Sequence, residues 1–368
     1  MKKINSQKIR KIVWASTFGL LAVGLMAFLA KISCKVISGE ENDGRFFTAM
    51  VTDGGGINDQ SFQQSAWEGM KTFEKETGSR VSYVECSQNS DFPINMDKLA
   101  DEHTDLIWGI GFKLADTIDM AAKTNPELNY AIADYSFGDK TQDNVTGVVF
   151  RSEESSFLAG YVAAMTTKRN CVGFVGGIKG MVIDQFEYGY RAGVVYGAKK
   201  LGKNIDVKVQ YAESFTDSAK GKAIAIKMFD DCDIIFHAAG GAGVGIIEAA
   251  KETEKEILSA SLADADQAYL APKNVLTSAL KNVGKAINII SNKAKNGEQI
   301  GGKTFSFGLK EECVGISEDF SNMDKAVYDS ALILKNKISE GKITPPGTPE
   351  AYNETSSKNE DIDLVRII

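Results

Sequence analysis

Two stretches of the 368-residue chain concentrate residue types that hold ligands. The first, Thr52-Asp53-Gly54-Gly55-Gly56-Ile57-Asn58-Asp59-Gln60-Ser61-Phe62, follows an apolar run and opens a helical pattern. It offers carboxylates, an amide, an aromatic ring and three successive glycines. At the carboxyl end of a strand such a loop lies on the ligand edge of an α/β sheet. An elaborate helix cap by Asn58 or Asp59 accounts for part of it, but three glycines exceed what a cap requires. The second stretch runs from Asp233 through IIFHAA to Gly240, Gly241, Gly243 and Gly245, then into IIEAAKE. A strand, a Gly-rich turn and a helix in that order let backbone N–H groups approach a ligand at the positive end of the helix. Asp264 follows 19 residues after Gly245, where a dinucleotide fold places its ribose-binding acid, but the glycines read GxGxG rather than GxGxxG and sit mid-chain. A loop facing another kind of ligand is the better expectation.

Several chemistries are excluded early. Only two histidines, His103 and His237, are present, so Ser-His-Asp triads and multi-His zinc sites have almost nothing to draw on. Cys86, Cys171, Cys232 and Cys313 are spaced 61 to 85 residues apart with no CxxC or CxxH pair. They form no metal site and read as small buried residues, with one disulfide compatible with export. Gly297-Glu-Gln-Ile-Gly-Gly-Lys303-Thr304 fits the Walker A letters, but a helix precedes it and a β-like run follows, the reverse of a phosphate loop. Lys+Arg 42 against Asp+Glu 49 gives a net charge of −7, which leaves no basic face for nucleic acid. No cofactor is expected.

The N-terminus assigns a compartment. Lys2, Lys3, Lys8, Arg10 and Lys11 precede a 19-residue uncharged run, Ile12 to Ala30, in the manner of an export signal or membrane anchor. Lys31-Ile32-Ser33-Cys34 resembles a bacterial lipobox, with charged Lys31 where an apolar residue is usual. Two outcomes follow: acylation at Cys34, or an uncleaved anchor. Removing residues 1–34 takes six positive charges from the net of −7 and leaves −13. Either way the body is expected on the extracytoplasmic face of the cell membrane.

The elements that must position these residues alternate from Arg45 onward. Composition is that of a globular chain, 43% hydrophobic and 25% charged. Phe46 to Val51 reads as a strand, Gln60 to Thr77 as a helix, Val81 to Cys86 as a strand, and Leu106 to Gly109, Tyr130 to Ala133 and Val145 to Val149 as further strands. The pattern restarts with a helix over Ser155 to Thr167, a strand at Cys171 to Val175, a helix from Gln185, and a helix expected from Gly245. The expectation is an α/β protein of two doubly wound lobes with a hinged cleft. One lobe spans about 45–150 with a return near 281–308, the other 151–275 with a return near 312–343, and residues 344–368 form a partly ordered tail.

Seven segments, in order, then carry a resemblance: TDGGGINDQSFQQSAWEGM, NVTGVVFRSEESSFLAGYVAA, GFVGGIKGMVIDQFEYGYRAG, SFTDSAKGKAIA, DIIFHAAGGAGVGIIEAAKE, DADQAYLAPKNVLTSALKNVGKA and GLKEE. Together they resemble the basic membrane protein family, exported substrate-binding lipoproteins of nucleoside ABC importers, over roughly residues 46 to 340. The resemblance implies a type I periplasmic-binding fold closing on a purine nucleoside (adenosine, guanosine or inosine) and an ABC permease as partner, with no chemical step. It implies stacking of the base between Phe62 and Phe215. The ribose falls to Asp53, the backbone near Gly241, Asp264 and Lys281, while Asn58, Asp116 and Asp134 are candidates for the base edge. Leu262-Ala263 and Ala242 depart from the family pattern without removing a contacting side chain.

Other readings stay open at this level. Without the resemblance, Phe62 and Phe215 read as core, Asp264 as a turn and Lys281 as a surface charge. A sugar or autoinducer receptor of the same fold, a surface adhesin that kept it, and a nucleoside-processing enzyme are the competing functions.

Overall fold

The computed structural model describes residues 44–54, 56–253, 258–263, 266–357 and 365–367. The basic and apolar N-terminal segment, Cys34 and Asp264 lie outside the described residues. Among the described residues no helix is long and apolar enough to cross a membrane.

Largely apolar runs become the central strands of two sheets. In the first sheet β1 (Phe47–Thr52) and β3 (Leu106–Ile110) are buried along their whole length, as strands covered on both faces must be. Alternation along β1 sends Phe47, Ala49 and Val51 to one face, and Met50 to the other. The first face packs beneath α2 (Asp91–Asp101) and α3 (Ala115–Thr124), through Phe92, Leu99 and Ile118. The remaining strands are β2 (Arg80–Val84), β4 (Asn129–Ala133), β5 (Val145–Phe150) and β11 (Lys303–Phe307). All six run parallel, in the order β11-β5-β4-β3-β1-β2.

The second sheet has seven strands, ordered β12-β10-β9-β8-β6-β7-β13. They are β6 (Cys171–Gly176), β7 (Ile205–Tyr211), β8 (Ile234–Ala238), β9 (Leu258–Ala263), β10 (Val275–Lys281), β12 (Val314–Ile316) and β13 (Val365–Ile367). Only β12 runs antiparallel to its neighbour.

The chain crosses between the sheets three times. From β5 it passes at Arg151 into α4 (Ser152–Thr166), which lies against α5 (Met181–Leu201). From β10 it returns after Lys281 into α8 (Val283–Lys295), which packs on α1 (Phe62–Thr77) of the first sheet. From β11 it leaves again through Gly308 to β12 and α9 (Lys325–Ser339). The α1–α8 crossing is backbone on backbone: a Cβ at Gly69 would fall 2.3 Å from the Gly284 Cα.

The Gly-rich run after β8 differs from the sequence expectation. Helix α7 starts at Gly241 and ends at Glu252, four residues earlier than Gly245. Its glycines serve packing rather than a turn. A Cβ on Gly243 would lie 2.2 Å from the His237 ring, and one on Gly245 would lie 1.9 Å from the Ser218 carbonyl of α6 (Ser218–Met228). Gly240 alone takes a left-handed φ of 54° there. The segment after Thr344 contains α10 (Pro349–Ser357), whose buried Tyr352 lies 5.6 Å from the Tyr188 ring and 4.4 Å from the Arg191 guanidinium.

Candidate functional site

Strand ends of both sheets converge on one cleft of about 470 Å³. From the first sheet come Asp53 after β1, Gly111 to Lys113 after β3 and Asp134 after β4; from the second come Gly240 and Gly241 after β8 and Lys281 at the end of β10. Carboxyl ends of parallel strands are where open α/β sheets bind ligands, because helix N-termini and free loop amides gather there. Phe62, Phe186 and Phe215 add aromatic surface.

The loop that leads into α1 is held by its own acid. Asp59 accepts hydrogen bonds from the backbone N–H groups of Ser61 (2.9 Å), Gln63 (3.0 Å) and Gln64 (3.0 Å). Those bonds satisfy the first turn of α1 and set Phe62 and Gln63 facing the cleft. Burial raises the Asp59 carboxyl pKa, and the three N–H bonds pull against it. Asn58 is exposed and does not line the cleft.

Asp53 is fixed from two sides. Its Oδ1 accepts from the Gln63 side-chain amide at 2.7 Å, and Lys113 Nζ stands 3.9 Å from its Oδ2. The same Gln63 amide donates to the Ile110 carbonyl at 3.1 Å, which ties α1 to β3 behind the carboxylate. Burial raises the Asp53 pKa, opposed by the Lys113 charge and the Gln63 bond. Gly111 makes the approach possible: with φ at 115°, a Cβ there would fall 2.7 Å from the Asp53 Oδ2. The short turn at 112–114 then aims Lys113 into the cleft. It also carries the chain past it, so that Asp116 emerges exposed on the first turn of α3. Asp116 does not line the cleft.

Lys281 is buried, its side chain only 3% exposed, with the Asp134 carboxylate 2.5 Å away. Three aromatic rings surround the ammonium, at 4.8 Å for Phe62, 5.0 Å for Phe150 and 5.7 Å for Phe186. Such a cation is held by ring faces and one carboxylate rather than by water. Asp134 takes a left-handed φ of 64°, which aims its side chain across the sheet end toward Lys281. On the opposite wall Phe215 rests on the Gly177 backbone, where a Cβ would fall 2.3 Å from the ring. Its carbonyl accepts from Ala242 N–H at 3.3 Å, and the Lys113 ammonium lies 5.8 Å from its ring centre.

Two bonds bridge the cleft rim. The Gln267 side-chain amide donates to the Gln60 carbonyl at 3.0 Å, and Tyr269 Oη donates to Gln60 Oε1 at 3.4 Å. Gln60 itself holds a φ of 56°.

The structure thus brings Asp53, Phe62, Asp134, Phe215, Gly241 and Lys281 to one cleft and leaves Asn58 and Asp116 outside it. Gln63, Lys113, Phe186 and Gln267 are functional candidates that sequence reasoning missed. Lys113 carried a usable signal, two residues past a glycine at a strand end; the others depend on what lies across the fold.

Among the described residues no group of three or more His, Cys, Asp or Glu could hold a metal ion. The arrangement offers two carboxylates, two ammonium groups and aromatic faces. That set suits a flat ring bearing hydroxyl groups.

A family model described as PnrA-like ABC transporter substrate-binding protein matches residues 46–348. The chain is 36% identical over 360 residues to the ABC transporter nucleoside-binding protein BmpA of Lactococcus lactis, covering 92% of this chain and 99% of that one. It is 40% identical over 309 residues to Basic membrane protein A of Borreliella burgdorferi (83% and 89% covered). It is also 38% identical over 332 residues to the CD4+ T-cell-stimulating antigen of Listeria innocua (85% and 91%). Among solved structures, an ABC transporter solute-binding protein from Aeropyrum pernix superposes with a TM-score of 0.76 at 23% identity, covering 87% of this chain and 98% of that one. A solute-binding protein from Conexibacter woesei gives 0.67 at 18% identity, with 82% and 98% covered. The fold is the periplasmic-binding fold of such proteins.

Proposed function

The chain belongs to the PnrA-like family of ABC transporter substrate-binding proteins, and from that premise we propose that it captures purine nucleosides outside the cell and delivers them to an ABC permease. The observation that carries this reading is the conjunction, in one cleft, of aromatic rings from both lobes with paired carboxylates and ammonium groups. A relative named as nucleoside-binding supports it.

In this reading Phe62 and Phe215 cover the two faces of the base, each face contributing about 1–3 kcal/mol. Asp53, the backbone at Gly241, Lys281 and Asp264 hold the ribose hydroxyls, and Asp134 reads a polar edge of the base while keeping Lys281 in place. Ionised carboxylates accept strong bonds from hydroxyls, and a site with such acceptors discriminates against deoxy analogues. Because the stacking partners come from different lobes, a bound nucleoside favours the closed arrangement through contacts it lacks in the open one. The N-terminal segment tethers the protein to the membrane, by acylation at Cys34 or as an uncleaved anchor. The role includes no chemical step.

Thermal unfolding tests the assignment, with ligand first stripped by denaturation and refolding. A ligand at 1,000 times its dissociation constant adds about 4 kcal/mol, so adenosine, guanosine or inosine at millimolar concentration should raise the midpoint by several degrees. Ribose and galactose should leave it in place. A shift with sugars alone, or with no nucleoside at all in a folded sample, overturns the reading. Phe215→Ala should then weaken nucleoside binding roughly 5- to 150-fold.

A further inference from the structure

Two of the four described cysteines meet far along the chain. Cys171 opens β6 and Cys232 lies two residues before β8, and the two strands are direct neighbours: Val172 lies opposite Ile234, and Asp233 N–H donates to the Cys171 carbonyl at 3.3 Å. Neighbouring strands run about 4.8 Å apart, within the range of Cα separations that a disulfide spans. The two sulfurs stand 2.6 Å apart, both buried in the apolar cluster of Met228, Phe229 and Ile235. Cys86 and Cys313 are placed differently. The Cys86 sulfur accepts from the Asn95 amide, and Cys313 donates to the Glu311 carbonyl at 3.7 Å.

We propose that Cys171 and Cys232 are the two halves of an intramolecular disulfide in the exported protein, tying the start of β6 to the turn before β8. The proposal rests on the extracytoplasmic location proposed above for its oxidant, since disulfides persist outside the reducing cytosol. Its geometry is independent of the nucleoside site.

The chemistry is thiol–disulfide exchange with a low-molecular-weight or protein disulfide as oxidant. The thiolate of Cys171 attacks one sulfur of the oxidant, forming a mixed disulfide and releasing one thiolate. The Cys232 thiol then loses its proton to solvent and attacks the Cys171 sulfur, releasing the second. Two protein thiols are oxidised and one oxidant disulfide is reduced to two thiols. Because both sulfurs are buried, exchange takes place while the second sheet is still assembling.

The test uses the full chain in detergent, made in a reducing cytoplasm, unfolded in denaturant and refolded with oxidised and reduced glutathione at an extracytoplasmic ratio. The product is acid-quenched, alkylated and digested without reduction. The expected result is a single linked peptide pair joining the segments of Cys171 and Cys232, two hydrogens lighter than the sum of its parts, with Cys86 and Cys313 alkylated. Cys171→Ser and Cys232→Ser should each abolish that pair and leave the remaining partner alkylated or glutathionylated. Both thiols free, glutathione adducts without the link, or links from either residue to Cys86 or Cys313 overturn the proposal. The same digest of protein taken from its native host separates the two ideas. A pair that forms with glutathione but is reduced in the host overturns the disulfide as a feature of the exported protein. Nucleoside binding, measured separately on the refolded chain, neither supports nor damages it.

Discussion

The Lys281–Asp134 pair gives the sharpest quantitative test of the site. Lys281 is buried among Phe62, Phe150 and Phe186, with Asp134 as its carboxylate partner. Asp134→Asn removes the charge while keeping a residue that tolerates the left-handed φ of 64°. An ammonium left in that aromatic nest without its counter-charge should cost about 3–5 kcal/mol, a fall of roughly 5–10 °C in the unfolding midpoint. Lys281→Met fits the same nest through sulfur–aromatic contacts, but leaves Asp134, itself mostly covered, without its partner. The double variant carries neither charge and should return to within about 1 kcal/mol of the parent, as replaced buried pairs often do. Urea unfolding of all four proteins at neutral pH yields the coupling energy directly. Additive losses, or an Asp134→Asn protein as stable as the parent, would show that the ammonium is solvated and that the pair does not organise the cleft.

Two buried titrating groups pull stability in opposite directions. Burial raises the Glu153 pKa from its ordinary value of 4.5 to about 7, so the native state binds the extra proton and stability falls as pH rises between about 4.5 and 7. Burial lowers the His237 pKa from 6.5 to about 4, so the unfolded state binds the extra proton and stability falls as pH drops from about 6.5 to 4. Each is worth about 3 kcal/mol: Glu153→Gln should remove the first loss and His237→Phe the second, read as differences from the parent in urea titrations at pH 4 to 8. Variant curves that parallel the parent would exclude these groups. Gln267→Ala deletes the 3.0 Å bond to the Gln60 carbonyl across the cleft rim. At about 1 kcal/mol net it should weaken any ligand that needs closure roughly 5-fold by calorimetry, and an unchanged dissociation constant would deny the rim bond a part in closure.

How much of this was legible in the sequence depended on where each signal resides. The central strands were readable because burial on both faces demands continuous apolar residues, as in β1 and β3. Helix starts were not. Helix α5 begins at Met181 rather than Gln185, with Met181 itself 81% exposed, so its first turn breaks the apolar periodicity. The glycines of α7 look like a turn until α6 and His237 are seen to press on them. Strands β12 and β13 span only three residues each, too few for a period to register. In the site, Asp53 was legible from the loop that ends the first strand, whereas Lys281 came only from the family resemblance and on its own reads as a surface charge. Gln63 escaped because its importance comes from Ile110, 47 residues away.

The crossovers are fastened to one another. Arg151, at the first, donates to Glu154 at 2.7 Å, to Glu311 at 2.6 Å and to the Ser306 carbonyl at 3.0 Å. Glu154 in turn accepts from Leu309 N–H at 2.6 Å, so the first and third crossovers are stapled together. A Cβ on Gly308 would fall 2.3 Å from that guanidinium, so another residue there would have to move the end of the Arg151 side chain. These bonds join segments that stay together whichever way the lobes swing. Besides the Lys281–Asp134 pair at the second crossover, the two lobes are joined by one amide to carbonyl at Gln60, one exposed phenol, and the Lys113 cation 5.8 Å from Phe215. These last three are each worth at most about 1 kcal/mol. In the capture proposed above, a bound nucleoside that touches both lobes would therefore supply most of the free energy that holds them together.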